Sequence, residues 1–165
     1  MGNYKEILIV SHSLSPEKIL RLSNGDSYDS EIIVKDKNDK EIFYTNRVNV
    51  DSSNNLSKNY KIEIETGTYG GFVWYHMNKY KAIWLFDISY FDLINNINQM
   101  TLEARTLKCK TINPKHNKKI VIGVNIHKGG DLWDWSEGCI TIYNKEFDNF
   151  INNFEINEKV IIYKE

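Results

Sequence analysis

Cysteine is scarce in this sequence, with only Cys109 and Cys139 among 165 residues. Two cysteines are too few for a disulfide framework, although a bond between these two is conceivable and would block a thiol nucleophile. The four histidines are scattered, so no close ligand pair has the spacing of a zinc site. We therefore expect neither a metal site nor another cofactor.

Arginine is also scarce, and neither sign of charge is in excess. The chain contains only Arg21, Arg47 and Arg105, and its formal net charge is -1 at pH 7. Surfaces that read phosphate groups depend on arginine and on a positive potential. The composition therefore argues against nucleic acid and anionic membranes as partners.

Long hydrophobic runs are missing. Near the N-terminus, the apolar run Ile7–Val10 is shorter than the core of a secretory signal and far too short to span a membrane. We expect no membrane span and no visible signal peptide. Action outside the cytoplasm would then require a mature form whose signal was removed, another export route, or cytoplasmic synthesis before release.

What is present is typical of one folded domain. Hydrophobic residues make up 41% of the chain and charged residues 26%, and this length matches a single core. No linker or internal repeat divides the sequence. We predict one monomeric domain over residues 1–165, with a β-rich N-terminal part (1–59) and a catalytic part (60–165).

Short segments rich in Ile, Val, Tyr and Phe, separated by turn residues, predict mostly strands. The predicted strands are Glu6–Ser11, Lys18–Leu22, Glu31–Lys35, Glu41–Val50, Tyr60–Glu65, Phe72–Tyr75, Ala82–Phe86, Lys119–Ile126, Ile140–Tyr143 and Val160–Tyr163. Helical spacing predicts two helices, Ser89–Met100 capped by Ser89 and Asn144–Phe154 capped by Asn144. These elements indicate a mainly β fold, either a β-sandwich or a part-closed barrel with two short helices.

The stretch Val121–Tyr143 carries the strongest functional signal. Two apolar runs, Ile120–Ile126 and Ile140–Tyr143, flank a polar loop that contains glycine. His127 ends the first run and Cys139 begins the second. Packed strands would hold an imidazole and a thiol in place while the loop leaves room for a substrate, which is typical of a nucleophile–base pair.

Gly138 favours a catalytic role for Cys139. Glycine permits a tight turn and a close approach of a substrate carbonyl, so the N–H groups of Gly138 and Cys139 would form an oxyanion hole. His127 would accept the thiol proton and return it to a leaving amine. The alternatives are a cysteine buried as a small hydrophobe and a histidine exposed at a strand end.

Four residues of the loop are candidate substrate contacts. Trp133 and Trp135 would share a face of an extended loop, where they would stack on sugars or line a peptide groove. The alternative is that they cover the core. Ser136 and Glu137, just before Gly138, are assigned to substrate contact.

Two further candidates precede this stretch. Tyr69 belongs to the glycine-rich segment Thr66–Gly71, and His76 follows Tyr75 at the end of an aromatic strand. We assign both to substrate binding, with His76 in the pocket wall. A plain glycine turn is the alternative for Thr66–Gly71.

The segment Ser136–Thr141, S-E-G-C-I-T, resembles the signature of the YkuD-type L,D-transpeptidases. In that family a histidine is followed, after a gap, by Ser/Thr-His-Gly-Cys, an apolar residue and Arg or Asn. The resemblance covers residues 118–165, because a short helix and a closing strand follow the cysteine in the family, and it reaches back to Ile62–Tyr69. This sequence departs from the pattern at Glu137, at Thr141 and in the shorter gap after the histidine.

The resemblance implies an L,D-transpeptidase-like fold and a cysteine acyl transfer on peptidoglycan stem peptides, in the periplasm or cell wall. Cys139 would form a thioester with the stem peptide. An amine acceptor would then complete a transpeptidation, and water would complete a carboxypeptidase reaction. A bacterial housekeeping enzyme, a phage-associated lysis protein and a secreted effector are all compatible with this activity.

The order of base and nucleophile separates this family from two others. Sortases need an arginine after the cysteine, and none follows Arg105. Papain-like enzymes place the cysteine first, and no histidine follows Cys139. Two alternatives stay open, namely a β-sandwich module that binds cell-wall glycan, peptide or a protein partner, and a catalytically inactive relative.

Overall fold

The computed structural model describes residues 2–13, 15–51, 62–111, 119–130 and 138–165. The strands are β1 (Glu6–Val10), β2 (Ser30–Lys35), β3 (Glu41–Asn49), β4 (Ile62–Ile64), β5 (Gly67–His76), β6 (Tyr80–Asp87), β7 (Thr106–Thr111), β8 (Ile120–Ile122), β9 (Asn125–Lys128), β10 (Ile140–Ile142) and β11 (Lys159–Lys164). The helices are α1 (Pro16–Ser23) and α2 (Asn144–Ile151).

Eight strands close a barrel in the order β1-β11-β5-β6-β9-β10-β3-β2, and the other three form a small sheet in the order β4-β7-β8. The barrel contains strands from both predicted parts of the chain, residues 1–59 and residues 60–165. The predicted mainly β fold with two short helices is confirmed. Of the two predicted architectures, the barrel is the one observed.

Two pairs of neighbours in the barrel are parallel. β1 pairs with β11, so that Glu6 lies beside Ile161 and the first and last strands close the barrel. β9 pairs with β10, so that His127 lies beside Thr141. Because parallel neighbours need a returning connection, a tight hairpin cannot join β9 to β10.

The barrel core follows from alternation along the strands. In β1, β2 and β11, buried side chains alternate with partly exposed ones, as expected for strands with one face on a core. α2 adds the buried rings of Phe147 and Phe150 to the same cluster. A second apolar cluster, around Phe72 and Phe86, is covered by the segment that follows β6.

The predicted strand Lys18–Leu22 is wrong, because these residues lie in α1. Ser15 caps the helix, its side chain accepting from the Lys18 N–H at 3.2 Å, and Pro16 occupies the first turn. A capping serine followed by proline is a strong start signal. It outweighs the strand propensity of this short apolar segment.

The predicted helix Ser89–Met100 is also wrong. The segment contains two single turns of 3-10 helix, Ile88–Tyr90 and Ile97–Gln99. Asp87 caps the first turn, and Asn96 and Gln99 form a capping box on the second. Because each cap starts a new turn, no continuous helix forms.

Two boundaries near the candidate site also differ from prediction. Gly123, with φ of +81°, interrupts the predicted strand Lys119–Ile126, so that β8 belongs to the small sheet and β9 to the barrel. His127 therefore lies within a strand. The cap of α2 is Tyr143, without a side-chain hydrogen bond, and Asn144 is the first helical residue.

Candidate functional site

The catalytic candidates come together where β9 runs beside β10. Cys139 immediately precedes β10, and the register places it next to Asn125. The backbone N–H of Asn125 donates to Sγ of Cys139 at 3.4 Å, and Sγ lies 3.8 Å from the carbonyl oxygen of Gly123. The sulfur thus accepts a hydrogen bond from one backbone group of this strand segment and, as a thiol, donates to another.

His127 lies on the same face of this strand pair as Cys139. His127 is two residues beyond Asn125, the residue beside Cys139. His127 and Cys139 are therefore diagonal neighbours, with Cα atoms roughly 7–8 Å apart. Ile126, between Asn125 and His127, is fully buried in the barrel core. Alternation therefore turns His127 and Asn125 away from the core.

The tautomer of His127 is set by a backbone contact, and its pKa is set mainly by burial. Nδ1 lies 3.0 Å from the carbonyl oxygen of Lys128. Because a carbonyl only accepts, Nδ1 carries the hydrogen of the neutral ring, and Nε2 keeps the lone pair. Burial lowers the pKa of His127. The ring is thus a neutral base at pH 7, with a backbone carbonyl as its orienting acceptor.

Gly138 has the conformation that a non-glycine residue would avoid. Its φ is +89°, and a Cβ there would lie 3.2 Å from Cγ2 of Ile62 and 3.3 Å from Cγ2 of Val121. Both the left-handed backbone and the close packing require glycine. This turn sets the direction from which Cys139 enters β10.

His76 lies beside this pair, although it is 51 residues before His127 in the sequence. The two imidazole rings stack with centroids 4.4 Å apart and planes at 15°. The side-chain amide of Asn125 lies 3.0 Å from Nδ1 of His76. Burial, together with nearby His127 and Lys79, lowers the pKa of His76 to about 4. His76 is therefore neutral at physiological pH.

Thr141 lies directly across from His127 on β10. Its side chain is fully buried, and Oγ1 has no hydrogen-bond partner among the residues that the structure describes. At this position the resembled family has arginine or asparagine. A buried threonine cannot reach a substrate, so this departure removes a polar contact from the site.

Tyr69 is not brought to this site. It lies on β5 seven residues before His76, a distance of roughly 23 Å along an extended strand. Its hydroxyl donates to the carbonyl oxygen of Glu65 at 2.5 Å. Burial, followed by the nearby carboxylates, raises its pKa to about 12. Tyr69 lines a separate cleft of about 420 Å³ between the barrel and the small sheet.

Four predicted substrate contacts, Trp133, Trp135, Ser136 and Glu137, lie outside the described residues. The structure does describe where their loop begins. Gly129 packs on the ring of Tyr28, whose hydroxyl donates to the carbonyl oxygen of Gly130 at 2.8 Å. The N–H of Gly129 donates to Ile142 at 2.8 Å. The start of the loop is thus tied to both β10 and Tyr28.

The sequence analysis did not single out Asn125. Its backbone contacts the sulfur of Cys139, and its side chain contacts His76. One signal could have identified it: Asn125 is the polar residue two positions before His127 in a strand, and such residues share a face. Tyr28 carries no comparable local signal, since it lies 102 positions from its partner Gly130.

The two thiols differ in environment. Cys109 lies on β7 and is only 4% exposed, whereas Cys139 is half-buried. No disulfide joins them. Cys139 therefore retains the thiol that nucleophilic chemistry requires.

One group among the described residues has the composition of a metal site. The ligand atoms of His12, Asp51 and Glu63 lie within 4.8 Å of one another. Nδ1 of His12 lies 2.7 Å from Asp29 and Nε2 lies 2.9 Å from Glu63, whose other oxygen is 2.6 Å from Nζ of Lys164. Hydrogen bonds to Asp29 and Glu63 raise the pKa of His12 to about 10. With its ring protonated, His12 forms ion pairs with both carboxylates.

In chemical terms, the surroundings of Cys139 contain the two groups that a nucleophile–base pair requires, a thiol and an imidazole. The thiol accepts a backbone hydrogen bond, and a neutral imidazole with its Nε2 lone pair lies on the same face. Such pairs perform acyl transfer through a thioester. Within the described ranges, no helix is long and apolar enough to cross a membrane.

Comparisons with protein-family models, with curated proteins and with solved structures found no match to this chain.

Proposed function

We propose that this protein is a cysteine acyl-transfer enzyme that acts on peptidoglycan stem peptides, as an L,D-transpeptidase or L,D-carboxypeptidase. The observation that carries the proposal is the placement of Cys139 and His127 on one face of the parallel pair β9 and β10. The sulfur accepts the Asn125 N–H at 3.4 Å, and the imidazole keeps its lone pair on Nε2. The resemblance around Cys139 supplies the substrate class.

In the acylation step, Nε2 of His127 accepts the proton of the Cys139 thiol while the sulfur attacks the carbonyl carbon of an L,D-peptide bond. The tetrahedral oxyanion is stabilised by the N–H groups of Gly138 and Cys139. The C–N bond breaks, the imidazolium returns its proton to the leaving amine, and a thioester remains.

In the second step, the thioester carbonyl is attacked by an amine acceptor or by water. His127 takes a proton from the attacking group and delivers it to the departing sulfur, which restores the thiol. An amine gives transpeptidation or exchange of the terminal D-amino acid, and water gives carboxypeptidase activity. Such a substrate places the reaction in the periplasm or the cell wall.

Digestion of purified peptidoglycan and tetrapeptide muropeptides, followed by mass spectrometry, tests the proposal. Wild type, Cys139→Ala, His127→Ala and the matched control Cys109→Ala are compared. We expect loss or exchange of a terminal D-amino acid with wild type and Cys109→Ala, and none with the other two variants. Unchanged muropeptides with well-folded wild type would contradict the proposal and favour a module that binds the wall without reacting.

A further inference from the structure

A second imidazole, from another part of the chain, stacks on the ring of the proposed base. His76 ends β5, and its ring covers one face of His127 at 4.4 Å with nearly parallel planes. Ring pairs at this distance are in van der Waals contact. His127 cannot turn about its side-chain bonds without pushing His76 aside.

His76 is itself held in place. The side-chain amide of Asn125 donates to Nδ1 at 3.0 Å, so the ring hydrogen of neutral His76 lies on Nε2. The ring of Tyr80 also lies near His76, with the two ring centroids 5.4 Å apart. One residue, Asn125, thus contacts the nucleophile through its backbone and the second imidazole through its side chain.

We propose that His76 is a positioning residue, which fixes the ring of His127 so that Nε2 stays available to Cys139. The role rests on the proposed function, because a fixed base matters only if Cys139 reacts. It is nevertheless a property of the folded protein that can be measured without substrate.

The charges around the pair are consistent with this role. Lys79 follows His76 in the turn before β6, and Lys128 follows His127 with its Nζ 5.5 Å from the ring centroid of Tyr80. These cations, and the closeness of the two rings, disfavour a second positive charge on the pair. His127 can take a proton from Cys139 during reaction, but His76 stays neutral beside it.

Long-range ¹H–¹⁵N spectra of the histidine rings, recorded as a function of pH, test the proposal. In the wild type we expect His127 to carry its hydrogen on Nδ1 and to titrate below 6.5. His76→Ala removes the stacked ring, so we expect a mixture of His127 tautomers and a higher pKa. His76→Phe keeps a ring in the same place and should preserve both properties of His127.

Asn125→Ala serves as a second variant, because it keeps the backbone N–H on Cys139 and removes only the bond to His76. We expect a smaller change than with His76→Ala. Tyr75→Ala is the matched control, since Tyr75 neighbours His76 on β5 but points to the other face. Identical His127 spectra in wild type and His76→Ala would overturn the proposal, as would a wild-type His127 with its hydrogen on Nε2.

Turnover of muropeptides separates this inference from the proposed function. With His76→Ala, we expect kcat to fall about 10- to 100-fold with little change in KM, the size typical of a misplaced catalytic group. His76→Phe should remain within about threefold of wild type. If wild type shows no turnover, the proposed function fails while the spectra still decide whether His76 positions His127. Equal losses with His76→Phe and His76→Ala would exclude positioning by the stacked ring.

Discussion

The backbone N–H of Asn125 points at the sulfur of Cys139 from 3.4 Å, although 14 residues separate them in the chain. The contact exists because β9 and β10 are parallel and Cys139 continues β10 by one residue at its start. This contact fixes the position of the sulfur relative to β9. The proposed nucleophile is thus prepared by the strand pairing itself.

The two thiols should differ in reactivity. We expect iodoacetamide to label Cys139 in the native protein at least about tenfold faster than Cys109, because thiol chemistry requires access and thiolate character. Cys109 is 4% exposed in the core, whereas Cys139 is half-buried and accepts an amide hydrogen bond. Peptide mass spectrometry after timed quenching measures both rates. Equal rates in the folded protein would contradict the environment described for Cys139.

Replacing Gly138 with alanine should lower the free energy of unfolding more than replacing Gly25, which is the matched control. Both have a positive φ, +89° and +92°, but a Cβ on Gly25 meets nothing within 4 Å, whereas one on Gly138 meets Ile62 and Val121. We expect Gly25→Ala to lower the free energy of unfolding by about 1–2 kcal/mol through backbone strain alone. Gly138→Ala should lose about 1–2 kcal/mol more through overpacking.

Urea denaturation measures both values. The difference between the two variants isolates the steric contribution at Gly138, because the backbone strain is similar. If Gly138→Ala were no less stable than Gly25→Ala, this result would contradict the close packing of Gly138 on Ile62 and Val121.

Stability should fall at alkaline pH because of His12. Its pKa in the folded protein is about 10, raised first by the hydrogen bond to Asp29 and then by that to Glu63. A raised pKa gives a contribution that is fully present below about 6.5, the unfolded value, and is lost as the pH rises through about 10. We expect a loss of about 1–2 kcal/mol, because 42% of the side chain is exposed and solvent screens the ion pairs.

Comparison of wild type with His12→Gln measures this contribution. Unfolding free energies at pH 6 and pH 10 should differ by less in the variant, since glutamine has no charge to lose. The same pH dependence in both proteins would show that the network does not hold a proton on His12.

The buried pair of Glu63 and Lys164 should be sensitive to the loss of one partner. The two groups lie 2.6 Å apart with 2% and 0% of their side chains exposed. Lys164→Met leaves the buried carboxylate of Glu63 with protonated His12 as its remaining charged partner, and we expect the free energy of unfolding to fall by about 1–3 kcal/mol. Lys35→Met is the matched control, because the Lys35–Asp39 pair is exposed and should contribute at most about 1 kcal/mol.

A double variant distinguishes the pair from its parts. Glu63→Gln combined with Lys164→Met removes both charges, so it should be more stable than Lys164→Met alone. Thermal unfolding of wild type, Glu63→Gln, Lys164→Met and the double variant provides the measurement. Additive losses in the double variant would contradict a direct interaction between the two side chains.

Much of the fold was predictable because strand signals are local. The apolar runs in the predicted strands Glu6–Ser11 and Glu31–Lys35 identified β1 and β2 with nearly correct bounds. The same propensities gave a wrong prediction at Lys18–Leu22, where the cap at Ser15 and the proline after it stabilise a helix. In this segment, helix capping has a larger effect than the strand propensity of the individual residues.

The candidate site was most predictable where it is continuous in sequence, although His76 was also assigned to the pocket wall. His127, Gly138 and Cys139 were identified from one stretch, and the structure places Cys139 and His127 on one face of a strand pair. The position of His76 depends on pairing of β5 with β6 and of β6 with β9, and no spacing in the sequence encodes it. Tyr69 lies seven residues before His76 on β5, so the length of the strand keeps it away from the site.

The pairing of β1 with β11 also bears on how the protein is made. Glu6 lies beside Ile161, so the barrel cannot close until residues 159–164 have left the ribosome. Until then β1 has an open edge that can pair with another chain. Contacts of such long sequence separation form slowly. Folding during synthesis should therefore stop at a partly formed sheet, and chaperone binding to nascent chains should persist until β11 is released.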